Sequence, residues 1–233
     1  MKKIAIPIFI CVASLSGESD FDKFIIKGIR QSYSLTANIQ LVTMASLSVL
    51  ALNNYDEDIG QLSKEHPIMS EKLSNFLDLY GGRWAYPSFL FIIASSSNSK
   101  EEKTDQLLFT SSTIGVTIAT TYLIKIITHR LRPDESNWRS FPSGHTSGSF
   151  ALATIGKEIY GQDIGALLYV VATFVGVQRI YSNKHWFTDV IAGATLGTII
   201  GRGFSSAFNL LDMNSSDKQV VPEIYFQFSI PIQ

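Results

Sequence analysis

The sequence predicts an all-α protein: one domain built as a bundle of apolar helices, with a short strand near the C-terminus. Three observations carry that reading. Uncharged apolar runs of helical length recur along the chain, and turn-forming residues and short charged loops such as NSKEEKTD separate them. A length of 233 residues at 45% apolar content makes one substantial core without a second domain. A charged fraction of 17% and a formal net charge of -1 argue against a nucleic-acid partner, whose basic stripe would show in the totals. The single cysteine, Cys11, excludes an internal disulfide and a cysteine-based metal site.

Taken in order, the first element is an address. Lys2 and Lys3 precede the apolar run IAIPIFICVASL, and Ser14-Leu15-Ser16 offers a cleavage box, so residues 1–16 read as a secretory signal. The alternative is an uncleaved anchor, although the run is shorter than the ~20 residues of a span. Residues 17–212 form the helical domain. Within it, residues 31–54 and 106–124 carry no charge and are long enough to cross a membrane; both are dotted with Ser, Thr, Asn and Gln, as buried helices of a soluble domain would be, but uncharged runs between short charged loops favour a membrane-embedded bundle. The runs WAYPSFLFIIASSS, GALLYVVATFVGVQ and VIAGATLGTII are shorter; Gly81-Gly82 is read as a break before the first, Asn98 to Asp105 as a break before the run 106–124, and Gly161 as closing the helix that carries TSGSFALATIGKEIYG. Residues 213–233 form a tail in which Ile224, Phe226, Phe228 and Ile230 alternate with polar neighbours, the period of a strand that Pro231 limits.

Chemistry concentrates in three segments. In KIITHRLRP, residues 125–133, Lys125 and Arg132 lie seven residues apart, about two helical turns, which would place both cations on nearly one face before Pro133 stops the helix. In RSFPSGHTSGS, residues 139–149, Pro142 is suited to a helix start, and Ser143 and Gly144 allow backbone amides close approach to a ligand. Such an N-terminus suits phosphate, with His145 within reach of whatever the amides hold. In QRIYSNKHWFTDV, residues 178–190, Arg179 is followed by His185 and Asp189. Four residues apart on a helix, Asp189 can orient His185 as a nucleophile or base. A metal site fits less well, because no third strong ligand recurs nearby and the neighbours are cationic. Lys184 and Arg139 would raise the local positive potential, whereas His129 and Arg130 are expected at most at the rim.

The order Lys-x6-Arg-Pro, Pro-Ser-Gly-His, Arg-x5-His-x3-Asp resembles the three-part signature of the type 2 phosphatidic acid phosphatase and vanadium haloperoxidase superfamily, over roughly residues 84–204. Two departures stand out: Gln178 replaces the usual Ser before the third-motif arginine, and the gap from Pro133 to Pro142 is short. The resemblance implies an all-α bundle with neither metal nor other cofactor. It implies His185 as nucleophile, Asp189 as its orienter and His145 as acid–base, with Lys125, Arg132, Ser143, Gly144 and Arg179 binding phosphate. Gln178 keeps a hydrogen-bonding side chain and is expected to hold Arg179 in place. The expected substrate is a lipid phosphate or diphosphate at the cell envelope. The alternatives are a soluble periplasmic phosphatase of small phosphomonoesters, a haloperoxidase, and a lipid-phosphate-binding scaffold or sensor. The spacing Gly193, Gly197, Gly201 is expected to seat α-helices closely behind His185. Oligomeric state is left open.

Overall fold

A computed structural model describes residues 20–212 except Pro67. The signal segment and the C-terminal strand expected from the sequence lie outside the described residues. The described chain is helical and contains no strand: α1 (Asp20–Ser34), α2 (Thr36–Leu52), a 3-10 turn (Asn53–Tyr55), α3 (Asp56–Glu65), α4 (Glu71–Leu79), a π turn (Tyr80–Trp84), α5 (Ala85–Ala94), α6 (Lys100–Thr128), α7 (Gly144–Tyr160), α8 (Gln162–Tyr181) and α9 (Phe187–Asp212). Local chemistry sets several of these boundaries. Ser70 and Ser99 cap α4 and α6 by accepting from the amides of Leu73 and Glu102. Gly161, at φ +89°, takes a backbone conformation costly for other residues and separates α7 from α8.

Helix α7 is the axis of the bundle. Ten of its seventeen residues are buried, and it packs on α6, α8 and α9. The core joins Phe24 of α1, Phe89 and Ile93 of α5, Phe109 of α6, Leu152 and Ile155 of α7, and Leu196, Ile200 and Phe204 of α9. The small-residue stripe of α9 does what its spacing suggests. A Cβ on Gly197 would stand 2.1 Å from the Ser147 carbonyl oxygen, and one on Gly193 2.6 Å from that of Ser143, so only glycine lets α9 lie against α7 here.

Two sequence readings are corrected. The run 31–54 is not one helix, because the chain bends at Leu35 between α1 and α2. Gly81-Gly82 does not end a helix either; the π turn carries helical structure from α4 into α5.

Three helical stretches, Thr36–Glu65, Lys100–Thr128 and Gln162–Tyr181, are long and apolar enough to cross a membrane. Their outward faces are apolar: Leu50 of α2 is 76% exposed and Ile127 of α6 is 72% exposed, with Met44, Leu47, Leu123, Leu167 and Val170 also exposed. A water-facing helix would carry charge there. The hydroxyls that dot these runs fit the same surroundings, since Thr43, Ser48, Thr113, Thr117 and Thr173 donate to carbonyls one turn back in their own helices.

Candidate active site

The three motif segments meet at one end of α6, α7, α8 and α9. Helix α6 stops earlier than Pro133 suggests: His129 adopts a left-handed conformation (φ 43°) and its amide donates to the Lys125 carbonyl. Arg132 therefore lies in the loop after α6, not on a shared helix face with Lys125, yet the loop folds back so that the two cations feel one another's charge. Pro142 precedes the helix rather than opening it, on a cis bond to Phe141, and α7 begins at Gly144. Ser143 is the N-cap residue but makes no side-chain cap bond; its hydroxyl accepts from Thr146 at 2.8 Å, and its amide donates to the Asp189 carbonyl at 2.9 Å. The first turn of α7 is thereby left without its usual side-chain acceptor, and its amides point where an anion can take that place.

His185 and Asp189 are neighbours for a reason other than a shared helix face. His185 precedes α9, and Asp189 sits in the first turn, where its carboxylate accepts from the Trp186 amide at 2.8 Å. That capping bond folds the chain so that His185 Nδ1 lies 3.6 Å from Asp189 Oδ2. The same Asp189 oxygen accepts from the Ser140 hydroxyl at 2.5 Å, and Oδ1 accepts from Arg130 Nη1 at 2.8 Å. Both residues are shut from solvent, at 2% and 0% exposure. Burial is the main reason that His185 resists protonation, holding its pKa down to about 4 even though Asp189 pulls the other way. The imidazole is neutral at physiological pH, which is the form a nitrogen nucleophile needs.

Arg130, expected at the rim, is itself half-buried but joins two buried carboxylates in one network. Its guanidinium spans Asp189, Thr188, Asn53 and Asp56, with Nη2 2.7 Å from Asp56 Oδ2. Asp56 in turn accepts from the Thr188 amide at 3.0 Å and its hydroxyl at 2.5 Å, tying α3 to the start of α9. Arg179 is 4% exposed and donates to Gln178 Oε1 at 3.3 Å, while Gln178 Nε2 donates to Ser74, so Gln178 supports the arginine as expected of it. Arg179 also donates to Asp78 at the end of α4, a partner for which the sequence gives no local pattern. The buried Nε atoms of Arg132 and Arg179 have no hydrogen-bond partner, donors that an anion would satisfy. Lys125 Nζ donates to the carbonyls of Arg139 (2.7 Å), Ser140 (3.2 Å) and Pro142, and so straps the loop that leads into α7. Lys184 departs from its expected role, because it is spent on Asp134 at 2.6 Å. Burial raises the Asp134 carboxyl, but hydrogen bonds from Lys184 and Ser136 outweigh it and hold the group at about 2.

Lys125, Arg132, Arg179, His145 and His185 are close enough to feel each other's charges. Beside them a groove of about 190 Å³ runs between α5, α6 and α7, lined by Tyr86, Ile118, Thr121, Tyr122, Lys125, Gly144 and Ser147. Among the described residues no three of His, Cys, Asp or Glu gather in a metal-binding arrangement. The cluster can hold a tetrahedral anion between cations and amides, next to a neutral buried histidine with a carboxylate behind it.

Residues 106–211 match the PAP2 superfamily. The lipid A 1-phosphatase of Porphyromonas gingivalis is 44% identical over 75 residues, 31% of this chain and only 17% of that protein. Phosphatidylglycerophosphatase B of Bacillus subtilis is 25% identical over 178 residues, covering 69% of this chain and 86% of that one. Among solved structures, Aquifex aeolicus LpxE superposes with a TM-score of 0.51 at 25% identity, over 63% of this chain and 92% of that chain. The first transmembrane PAP2 type phosphatidylglycerolphosphate phosphatase from Bacillus subtilis superposes with a TM-score of 0.62 at 19% identity, over 79% and 100%, a likeness of fold. All three motif segments thus lie within the stretch that matches the PAP2 superfamily, on a helical bundle whose fold these solved structures share.

Proposed function

We propose that this chain hydrolyses a lipid phosphate or diphosphate at a membrane of the cell envelope, through a phosphohistidine on His185 and without a metal. The supporting observation is the buried, neutral His185 backed by Asp189 and facing a cluster of cations at the open N-terminus of α7. In this reading Lys125, Arg132, Arg179, Ser143 and the amides near Gly144 take the phosphoryl oxygens and stabilise the charge that redistributes as phosphorus is transferred. His185 attacks in line while Asp189 fixes its tautomer and stabilises the imidazolium that forms. His145 donates a proton to the leaving oxygen and then accepts one from the water that hydrolyses the phosphohistidine. Holding the loop carbonyls, Lys125 gives up one of these bonds when it turns to phosphate.

The lipid class rests on the exposed apolar faces of α2, α6 and α8, on the groove walled by Ile118, Tyr86 and Tyr122 beside Gly144, and on relatives named for lipid A and phosphatidylglycerophosphate. Those faces speak against the soluble reading. We place the active site on the periplasmic side, in keeping with the signal-like N-terminus. The test is phosphate release by the purified full chain, with EDTA present, from an isoprenoid diphosphate, phosphatidate, a lipid A phosphate and p-nitrophenyl phosphate. Release from a lipid that survives EDTA and vanishes in His185→Ala is expected. Activity restricted to p-nitrophenyl phosphate, or lost in EDTA, would overturn the proposal.

A further inference from the structure

A second histidine–carboxylate pair faces the first across the site. Asp78 Oδ1 lies 3.6 Å from His145 Nε2, the same separation as between His185 and Asp189. Backbone packing creates this contact. The π turn after α4 lays Gly81 and Gly82 on the edge of the His145 ring, where a Cβ on Gly82 would come 2.5 Å from Nε2 and one on Gly81 3.4 Å from Cδ2. A wider helical turn at this point, of the kind that recurs at functional sites, is what lets α4 end with Asp78 over the imidazole. Among the described residues Asp78 is the one carboxylate within 4 Å of His145.

The other charged groups around His145 all oppose a proton on it. Burial is the largest of these influences; Arg179 from α8, His185 from the segment before α9 and Arg132 from the loop after α6 add to it, and Asp78 alone pulls the other way. An acid must nevertheless carry a proton when the leaving oxygen departs. Arg179 has another acceptor in Gln178 at 3.3 Å, so holding the arginine does not account for Asp78 by itself.

We propose that Asp78 is a positioning residue for the acid–base step, its carboxylate serving as the counter-charge that favours the protonated form of His145 when substrate arrives. The inference rests on the reading of His145 as the acid. The P–O bond of the substrate breaks as the bond from His185 to phosphorus forms, and the proton of His145 goes to the departing oxygen. Water then attacks the phosphohistidine and returns a proton to His145, restoring both histidines.

The experiment compares Asp78→Asn, Asp78→Glu and His145→Ala in the full chain, in detergent micelles, on a lipid phosphate and on p-nitrophenyl phosphate across pH. An alkoxide leaving group needs the proton; p-nitrophenolate, a weak base, scarcely does. Asp78→Asn is expected to lower kcat on the lipid phosphate by ~10-fold or more, to affect p-nitrophenyl phosphate little, and to move the basic limb of the lipid profile downward, with Asp78→Glu recovering part of the loss. Equal losses on both substrates with an unmoved basic limb would overturn the proposal and leave Asp78 as a brace for Arg179. Tighter binding with undiminished kcat would overturn it too, marking Asp78 as a stand-in for phosphate. If His145→Ala itself shows no dependence on leaving group, the acid role of His145 falls and the inference falls with it. If His145→Ala shows that dependence and Asp78→Asn does not, the inference alone fails.

Discussion

In the proposed mechanism Asp189 acts on the chemistry without touching substrate. Its carboxylate accepts from Ser140, Trp186 and Arg130, which leaves room for His185, and Arg130 is held in turn by Asp56. Arg130→Ala would leave two buried carboxylates without their cation, so we expect kcat to fall by ~10–100-fold with KM little changed, and a stability loss of about 3 kcal/mol read as a lower Tm. Arg130→Lys should recover only part of this, since one ammonium cannot reproduce the two-sided fork. His185 adds a pH signature. Its folded-state value of about 4 lies below the ordinary 6.5, so the unfolded chain binds the proton more readily, and stability should fall as pH drops from 6.5 towards 4. His185→Gln should flatten that part of a Tm-against-pH curve. At this scale the sequence is informative only where partners are close in the chain. His185 and Asp189 are four residues apart and could be paired by inspection, whereas Asp78 and Asp56 reach Arg179 and Thr188 from 101 and 132 residues away, with no local pattern to mark them.

Helix ends and helix contacts decide where those side chains go. The two-turn spacing of Lys125 and Arg132 suggested one helix face, but left-handed His129 ends α6 between them and a folded loop brings the cations together instead. The capping turn at Trp186 similarly replaces the helix face expected for His185 and Asp189. Residue spacing identified the participants in both cases; it could not say which backbone would join them, because capping depends on side-chain bonds that a periodicity does not encode. The glycines of α9 were more legible, since a stripe of small residues every fourth position has few uses besides close helix contact. Gly197→Val should therefore wedge α9 from α7 against Ser147 and Ala151, lowering stability by at least ~1–3 kcal/mol and taking activity with it, as α7 carries the first-turn amides and His145. Thermal unfolding in detergent would measure the first effect and phosphate release the second.

For the whole molecule, the helical class is readable from uncharged runs alone, and their alternation with short charged loops favours a membrane bundle over a buried one. Ser and Thr in those runs suit a buried bundle as well; the hydroxyls of Ser48, Thr113 and Thr117 are satisfied within their own helices, and faces such as Leu47, Leu50 and Ile127 are left to surroundings other than water. The full chain should accordingly remain with membranes after an alkaline wash, and release by osmotic shock would contradict that. In the proposed chemistry, phosphate passes through His185. Rapid quenching of the full chain with a ³²P-labelled lipid phosphate, followed by peptide mapping, tests it most directly. An acid-labile, base-stable phosphoryl adduct on His185 is expected, forming and decaying within a turnover and absent from His185→Ala. Turnover with no adduct, or an adduct that persists in His185→Ala, would contradict it.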